Sequence, residues 1–287
     1  MILITGANGQ LGTDFQKVLE LENEEYIATD VDKLDITDEN KILDFLKGRN
    51  IDIIINCAAY NNVDKAEEEQ EFCYKLNAYA PKYLAEASQN TGAIFVTYST
   101  DFVFDGLSST PYTETDTPNP KSIYGKSKLE GERLVLSSYD KSFVIRTSWL
   151  FGLANKNFNT QIIEWSKKKN ELNIVDDQIS APTYSYDLAY YSWLLIKTGK
   201  FGLYHFSNDG VASKYDQAEH VLKKIGWKGE LGTAKTADFN LPAKRPGYSK
   251  LDCTKIKETL GKEIPHWKDA IDRYLEEYLS IKGEDNG

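Results

Sequence analysis

The chain has 287 residues, of which 41% are hydrophobic and 27% charged, and its 34 Lys and Arg against 44 Asp and Glu leave a formal net charge of −10. This length supports one large domain or two unequal lobes around a shared core, with the composition of an ordinary globular protein. So acidic a balance excludes a general nucleic-acid-binding surface and leaves room only for local basic pockets. The three cysteines, Cys57, Cys73 and Cys253, are too scattered for a disulfide framework or a metal site, which fits a reducing cytoplasm. Residues 1–5 already read as a strand, leaving no room for a signal peptide. The most apolar later run, Leu188 to Ile196, falls far short of the roughly 20 residues a membrane span needs. The expectation is a soluble cytoplasmic protein with no membrane or nucleic-acid partner.

Met1-Ile2-Leu3-Ile4-Thr5 is an aliphatic, β-branched run, the pattern of a strand buried on both faces. Gly6-Ala7-Asn8-Gly9-Gln10-Leu11-Gly12 follows, then an amphipathic run from Thr13 to Leu21. Strand, glycine loop and helix in this order let backbone N–H groups approach a pyrophosphate at the helix N-terminus. The glycines are spaced three and three, where the commonest dinucleotide fingerprint spaces them two and three. A plain left-handed turn with a helix-packing glycine is the alternative. Glu25 to Asp30 reads as the second strand. Asp30 then either accepts hydrogen bonds from the adenosine ribose, repelling a 2′-phosphate, or is a solvated turn carboxylate. Lys33 nearby softens any preference for NADH over NADPH.

Asp35-Ile36-Thr37-Asp38 opens the next helix, to about Asn50, with Thr37 as N-cap. Ile51 to Asn56 is the third strand, and the small residues of Cys57-Ala58-Ala59-Tyr60 let a dinucleotide lie over the strand tips. A long helix is predicted from Phe72 to Gln89. The fourth strand, Ala93 to Tyr98, delivers Ser99-Thr100-Asp101 at its carboxyl end, the edge where open α/β sheets bind ligands. Thr100 is placed there to hydrogen-bond a substrate oxygen or to cap the loop. Prolines and turn residues from Phe102 to Pro120 read as an active-site loop.

A helix from Lys121 to Tyr139 carries Tyr124 and Lys128 four residues apart, and so on one face. A cation beside a phenol favours phenolate and lowers its usual pKa of about 10. Such a pair suits proton donation to a developing alkoxide. The spacing recurs once, at Tyr278 and Lys282, but at a polar C-terminus with no strand-end hydroxyl before it. A fifth strand, Ser142 to Thr147, ends in Ser148-Trp149. The alternation predicts an α/β fold with a Rossmann-like, doubly wound parallel sheet.

After Trp149 a helix is expected from Phe158 to Lys168, a strand from Leu172 to Val175, a polar loop over 176–183, an apolar helix from Tyr184 to Lys197 and a strand from Phe201 to Phe206. His205 reads as a packed strand residue, and His220 and His266 have no partners at ligand spacing. From Ser213 onward, short helices and loops suggest a smaller C-terminal lobe. Lys244-Arg245-Pro246 is either a grip for a diphosphate or a solvated basic turn. With no repeat or low-complexity linker, the lobes should interleave. Residues 1–150, with 184–207 returning to them, would form the dinucleotide-binding domain, and 151–183 with 208–287 the substrate-binding lobe.

Together these motifs resemble the extended short-chain dehydrogenase/reductase superfamily and, within it, the dTDP-4-dehydrorhamnose reductase family. The resemblance is carried by Gly6-xx-Gly9-Gln10-Leu11-Gly12, Asn56 to Tyr60, Val63 to Glu67, Ser99 to Gly106, Tyr124 to Lys128 and Arg146 to Gly152. Asp177-Gln178 with Ala181-Pro182-Thr183, and Arg245-Pro246, extend it. It implies a catalytic triad of Thr100, Tyr124 and Lys128 acting on a nucleotide-diphosphate sugar with NADH or NADPH, without a metal, in a monomer or homodimer. Tyr124 would give its proton to the emerging alkoxide, Lys128 would hold the nicotinamide ribose and lower the Tyr124 pKa, and Thr100 would bind the keto oxygen. Cofactor contacts would come from Gly6, Asn8, Gly9, Gln10, Leu11, Gly12, Asp30, Asp35, Ile36, Ala58, Ala59, Tyr60, Tyr124 and Lys128. Substrate contacts would come from Val63, Thr100, Asp101, Trp149 and Arg245.

Two other readings fit the same scaffold. One is a nucleotide-sugar epimerase or dehydratase; dehydratases place an Asp-Glu pair after the Thr, where this chain has Asp101-Phe102. The other is a non-enzymatic regulatory subunit resembling that of methionine adenosyltransferase, against which the intact Thr, Tyr and Lys argue.

Overall fold

Short β-branched runs and amphipathic helices alternate through the first half of the chain. In order they are β1 (Ile2–Thr5), α1 (Gln10–Leu21), β2 (Tyr26–Thr29), α2 (Glu39–Leu46) and β3 (Ile53–Asn56). Then follow α3 (Gln70–Tyr74), α4 (Ala80–Thr91), β4 (Ile94–Thr100), α5 (Ile123–Ser138) and β5 (Ser142–Thr147). The second half holds β6 (Leu150–Phe151), α6 (Phe158–Ser166), β7 (Glu171–Val175), β8 (Ile179–Ser180), β9 (Thr183–Tyr184), α7 (Ser185–Thr198) and β10 (Gly202–His205). It closes with β11 (Ala212–Ser213), α8 (Lys214–Lys224), β12 (Glu230–Ala234), α9 (Thr254–Leu260) and α10 (Trp267–Glu284). The structure, a computed structural model, describes residues 1–284, with side chains to Ile281. The Lys282 side chain of the second Tyr-xxx-Lys pair, and the last three residues of the expected C-terminal lobe, lie outside the described residues.

Six strands form one parallel sheet in the order β10-β5-β4-β3-β1-β2. Side chains alternate across it, as the period of two requires. Ile2, Ile4, Ile55, Val96 and Phe143 face α1 and α7, while Leu3, Ile54, Phe95 and Val144 face α2, α4 and α5. A sheet covered on both faces is the doubly wound arrangement the alternation predicted. From β1 the chain runs first to β2 on one side and then to β3 on the other. The carboxyl ends of β1 and β3 therefore flank a topological switch point, where such sheets open a crevice.

Several elements differ from the sequence reading for local reasons. The N-cap of α2 is Asp38, whose carboxylate accepts from the backbone N–H of Asn40 and Lys41, whereas Thr37 turns back to donate to Asp35. The long helix expected over 72–89 is α3 and α4 joined by a wide π turn over Lys75–Tyr79. Pro81, at the start of α4, has no N–H for the ladder. Inside that turn the Asn77 side chain accepts from Tyr60 N–H and donates to Tyr60 C=O, tying the helix to the segment after β3. The final helix is not short: α10 runs 18 residues.

Residues after Thr147 build a second core. Phe151, Ile162, Leu172, Ile174, Tyr184, Val221, Trp267 and Tyr274 pack together beyond the carboxyl edge of the sheet, and β7 pairs with β12 in parallel. The chain re-enters the sheet through α7, which packs on α1, and β10, which pairs with β5. At the end, α10 reaches back: Arg273 holds the buried Asp187 carboxylate with two N–H donors (2.9 and 2.7 Å), and Glu277 pairs with Lys17 of α1. Among the described residues, no helix is long and apolar enough to cross a membrane.

The glycine loop shows how tightly the first unit closes. A Cβ on Gly12 would overlap Gly6 O and lie 2.7 Å from Ala7 Cα, both backbone atoms that cannot yield. We expect Gly12→Ala to cost ~1–3 kcal/mol of stability and to weaken dinucleotide binding, checked by urea denaturation and NADH titration.

Candidate active site

At the carboxyl edge of the sheet a cavity of about 720 Å³ is lined by Gly6, Asn8, Gly9, Asp30, Asp35, Ile36, Ala58 and Ala59. It meets a second, of about 440 Å³, lined by Gly9, Gln10, Leu11, Thr100, Tyr124, Lys128 and Trp149. Gly9, Cys57, Ala59, Asn61 and Asn155 border both, so the two form one elongated cleft. A larger open depression lies near Lys47 to Asp52 at the amino end of β3, away from the glycine loop. Twelve of the fourteen residues expected to hold a cofactor line the cleft. Gly12 packs beneath the loop, and Tyr60 turns away to donate from its hydroxyl to Glu69 at 2.7 Å.

The cleft fits a dinucleotide. Gly6 has φ +67°, and a Cβ there would sit 2.5 Å from Ala58 N, so only glycine lets β1 and β3 meet at the switch point. Helix α1 has Gly9 as its N-cap, no side-chain cap and no acidic residue in its first turn, leaving its terminal N–H groups for an anion. Asp30 accepts from Asn8 N–H and Val31 N–H, which fixes a carboxylate at the tip of β2. Gln10 Oε1, Tyr98 OH, Ser99 Oγ and Thr147 Oγ1 are buried without a partner among the described residues, and all four residues line the inner cavity.

Thr100 ends β4, and Tyr124 and Lys128 lie in the first turns of α5. Ser122 caps that helix by accepting from Gly125 N–H at 3.2 Å. A Cβ on Gly125 would strike Phe102 O, so the glycine lets α5 press onto the loop after Thr100. Tyr124 is 9% exposed and Lys128 6%. Phe102 stands edge-on to the Tyr124 ring at 5.6 Å, and Val63 packs alongside. Burial pushes the Tyr124 phenol well above its ordinary range, and the Thr100 hydroxyl acts in the opposite direction. Burial also brings the Lys128 ammonium down to about 8, against the pull of Glu132. This corrects the expected tuning: Lys128 is not what sets the phenol, and desolvation outweighs the neighbours.

Toward the second lobe the residues divide. Trp149, at φ +46°, walls the inner cavity, with Lys214 Nζ 3.6 Å from its ring centroid. Asp101 lies under the surface, 1% exposed, accepting from Thr100 Oγ1 (3.2 Å), Ser180 Oγ (3.4 Å) and Ser249 Oγ. It lies behind Thr100 and does not itself line the cleft. Arg245 spends its guanidinium fork on Asp64, at 3.1 and 2.6 Å, and on Ala243 C=O. It joins the two halves of the molecule. His205 is buried, bonded to Tyr112 C=O and Arg146, and held down at about 3, a neutral packed residue as expected.

The sequence reading missed Asn155 and Lys156, which cross the glycine loop from the second lobe. Asn155 Nδ2 donates to Asn8 C=O at 3.2 Å, and Gln10 Nε2 donates to Lys156 C=O at 3.5 Å. It also missed Phe72 of α3 and Lys75 and Leu76 of the π turn, which line the outer cavity beside Asp30 and Asp35. A glycine-loop cleft ending in a buried Tyr, Lys and strand-end Thr defines a dinucleotide-dependent oxidoreductase of the short-chain dehydrogenase/reductase class.

Comparison with known proteins agrees. A family model described as the RmlD substrate binding domain matches residues 1–280. A dTDP-4-dehydrorhamnose reductase of Aggregatibacter actinomycetemcomitans is 40% identical over 284 residues, covering 94% of this chain and 96% of that protein. The Bacillus subtilis spore coat polysaccharide biosynthesis protein SpsK is 36% identical over 279 residues, covering 97% and 98%. The crystal structure of a dTDP-4-dehydrorhamnose reductase from Clostridium acetobutylicum superposes with a TM-score of 0.93 at 41% identity, covering 96% of this chain and 98% of that one. The Bacillus anthracis enzyme in complex with NADP gives 0.93 at 37%, with the same coverage. The chain belongs to the dTDP-4-dehydrorhamnose reductase family, whose members are NAD(P)-dependent oxidoreductases.

Asp101 gives a test by pH. Burial raises its carboxyl from 3.8 to about 6, so the folded state binds the proton more tightly than the unfolded chain. The resulting stabilisation is full below pH 3.8 and is lost as pH rises through 6. Relative to Asp101→Asn, the wild type should therefore lose about 1–2 kcal/mol between pH 5 and pH 8, measured by urea denaturation of both proteins.

Proposed function

We propose that the chain reduces the 4-keto group of a dTDP-linked 6-deoxyhexose, converting dTDP-4-dehydro-L-rhamnose to dTDP-L-rhamnose with NADH or NADPH. The observation that carries this reading is the meeting of Thr100, Tyr124 and Lys128 in a cleft continuous with the glycine loop. The reduced nicotinamide, when bound, supplies the hydride. Gly9, Gln10 and Leu11 would hold the pyrophosphate at the start of α1. Asp30, Asp35 and Ile36 would hold the adenosine end, with Ala58 and Ala59 beneath. Lys128 would hold the nicotinamide ribose.

Tyr124 gives its phenolic proton to the substrate oxygen as negative charge develops there. Its burial keeps that proton in place at neutral pH, so the acid form is the resting form. Thr100, whose hydroxyl donates to Asp101 in the free site, would turn that proton to the same oxygen when substrate binds. Trp149 and Val63 flank the sugar. Arg245, engaged with Asp64, orders its loop and does not grip the diphosphate directly. The carboxylate of Asp30 leans toward NADH by repelling a 2′-phosphate, and Lys33 softens that preference, so either cofactor is accommodated.

The same reading divides the chain. Residues 1–150 with 184–207 bind the dinucleotide, supported by the return of α7 and β10 to the sheet. Residues 151–183 and 208–287 bind the sugar nucleotide, supported by their separate core. A dehydratase would need a second carboxylate after Asp101, and there Phe102 packs on Tyr124 instead.

The test is oxidation of NADH and of NADPH against a panel of nucleotide-linked 4-keto sugars. The dTDP-linked 4-keto-6-deoxyhexose should turn over best, and the two rates give the cofactor preference. Tyr124→Phe should lower kcat by ~10²–10⁴-fold while NADH binding persists. Near-normal turnover by that variant would remove Tyr124 as the proton donor.

A further inference from the structure

Tyr124, Lys128 and Glu132 are spaced by four and form one stripe along α5. The first two face the cleft, while Glu132 lies a turn deeper, 4% exposed. Behind Lys128 is a small space of about 10 Å³ lined by Lys128, Glu132, Asn77, Thr97 and Ser99, room for one water at most. Lys128 thus borders the cleft on one side and the Glu132 pocket on the other. Glu132 is fixed from the sheet by Arg146 of β5, whose Nε donates to Oε1 at 2.8 Å and Nη2 to Oε2 at 2.6 Å. Arg146 is itself held by His205 at 3.2 Å and lies 5.0 Å from the Phe104 ring centroid.

A buried ammonium needs a counter-charge. The groups around Lys128 are few. On its own helix stand Tyr124 and Glu132; α3 presents Cys73; β4 presents Tyr98; Cys57 follows β3; Arg146 is engaged by Glu132; and Lys156 stands at the rim of the cleft. Burial pushes the Tyr124, Tyr98, Cys73 and Cys57 protons up, so these groups are neutral near pH 7. Glu132 is the one carboxylate in this set.

We propose that Glu132 is a positioning residue that keeps Lys128 charged inside the wall of the cleft, with Arg146 fixing the carboxylate in place. The inference rests on the reading of Lys128 as the cation that holds the nicotinamide ribose. It assigns the buried Glu132–Arg146 ion pair to the reaction and not to packing alone. Burial lowers the Lys128 ammonium, and Glu132 is the foremost group acting against that fall.

The experiment is a pH titration of the full chain carrying ¹³Cε-labelled lysine, with the Lys128 signal assigned by its loss in Lys128→Met. In Glu132→Gln the Lys128 midpoint should fall by about one unit or more, whereas Glu132→Asp keeps it close to the wild-type value. Should Glu132→Gln fail to fold around an unpaired Arg146, the double variant Glu132→Gln with Arg146→Met removes both buried charges and should show a smaller fall, because the cation that repels Lys128 goes with the carboxylate. In turnover, the alkaline limb of kcat/KM should move to lower pH with the plateau on the acid side retained. A purely structural role would lower the whole profile evenly. A Lys128 midpoint unmoved in the folded variant overturns the inference. The titration is read whether or not any sugar is reduced, so failure of the reductase reading is seen separately, in the substrate panel.

Discussion

Desolvation governs this site. A phenol, an ammonium and a carboxyl, those of Tyr124, Lys128 and Asp101, gather where β4 ends and α5 begins, and all three are nearly without water. In that setting each group leans toward its neutral form, and every charge that persists needs a partner. The arrangement around it follows from this demand. Glu132 faces Lys128, Arg146 faces Glu132, and the hydroxyls of Thr100, Ser180 and Ser249 surround Asp101. Even His205, neutral and capped by Tyr112, closes the row behind Arg146.

The same crowding explains why the site is not confined to the nucleotide-binding unit. Thr100 is steadied by Asp101, and Asp101 by serines from β8 and from the segment after Arg245. Asp64, just past β3, is gripped by Arg245. Asn155 bonds the backbone of the glycine loop. Each of these links crosses from the sheet to the second lobe, so the reacting groups are held from both sides. Rigid support of this kind lets a hydroxyl and a phenol aim at a single oxygen.

Much of this was legible in the chain. The alternation of apolar runs gave the sheet, and the succession strand, glycine loop, helix placed the cofactor end, because both depend on local pattern. Tyr124 and Lys128 were found by spacing and chosen by position after Thr100. The pKa argument was not legible, since a cation four residues away is visible in sequence while the burial that outweighs it is not. Arg245 and Asp101 were read as ligand contacts because their partners, Asp64 and Ser249, lie 181 and 148 residues away. Asn155 and the π turn at Lys75 left no composition signal at all; the turn replaces one hydrogen-bond pattern with another inside a sequence that reads as plain helix.

The contact between Lys17 and Glu277 joins the first helix to the last across 260 residues, and it has a consequence for how the protein comes to exist. During synthesis, α1 and the first four sheet strands to emerge can assemble early, but α1 waits for α7 to cover it and for α10 to secure its outer end. The edge strand β10 arrives only after half of the second lobe has emerged. Closure of long loops of this sort is paid before the contacts they bring repay it. The first helix is therefore finished only by the last, and the two lobes are tied together at both ends of the chain.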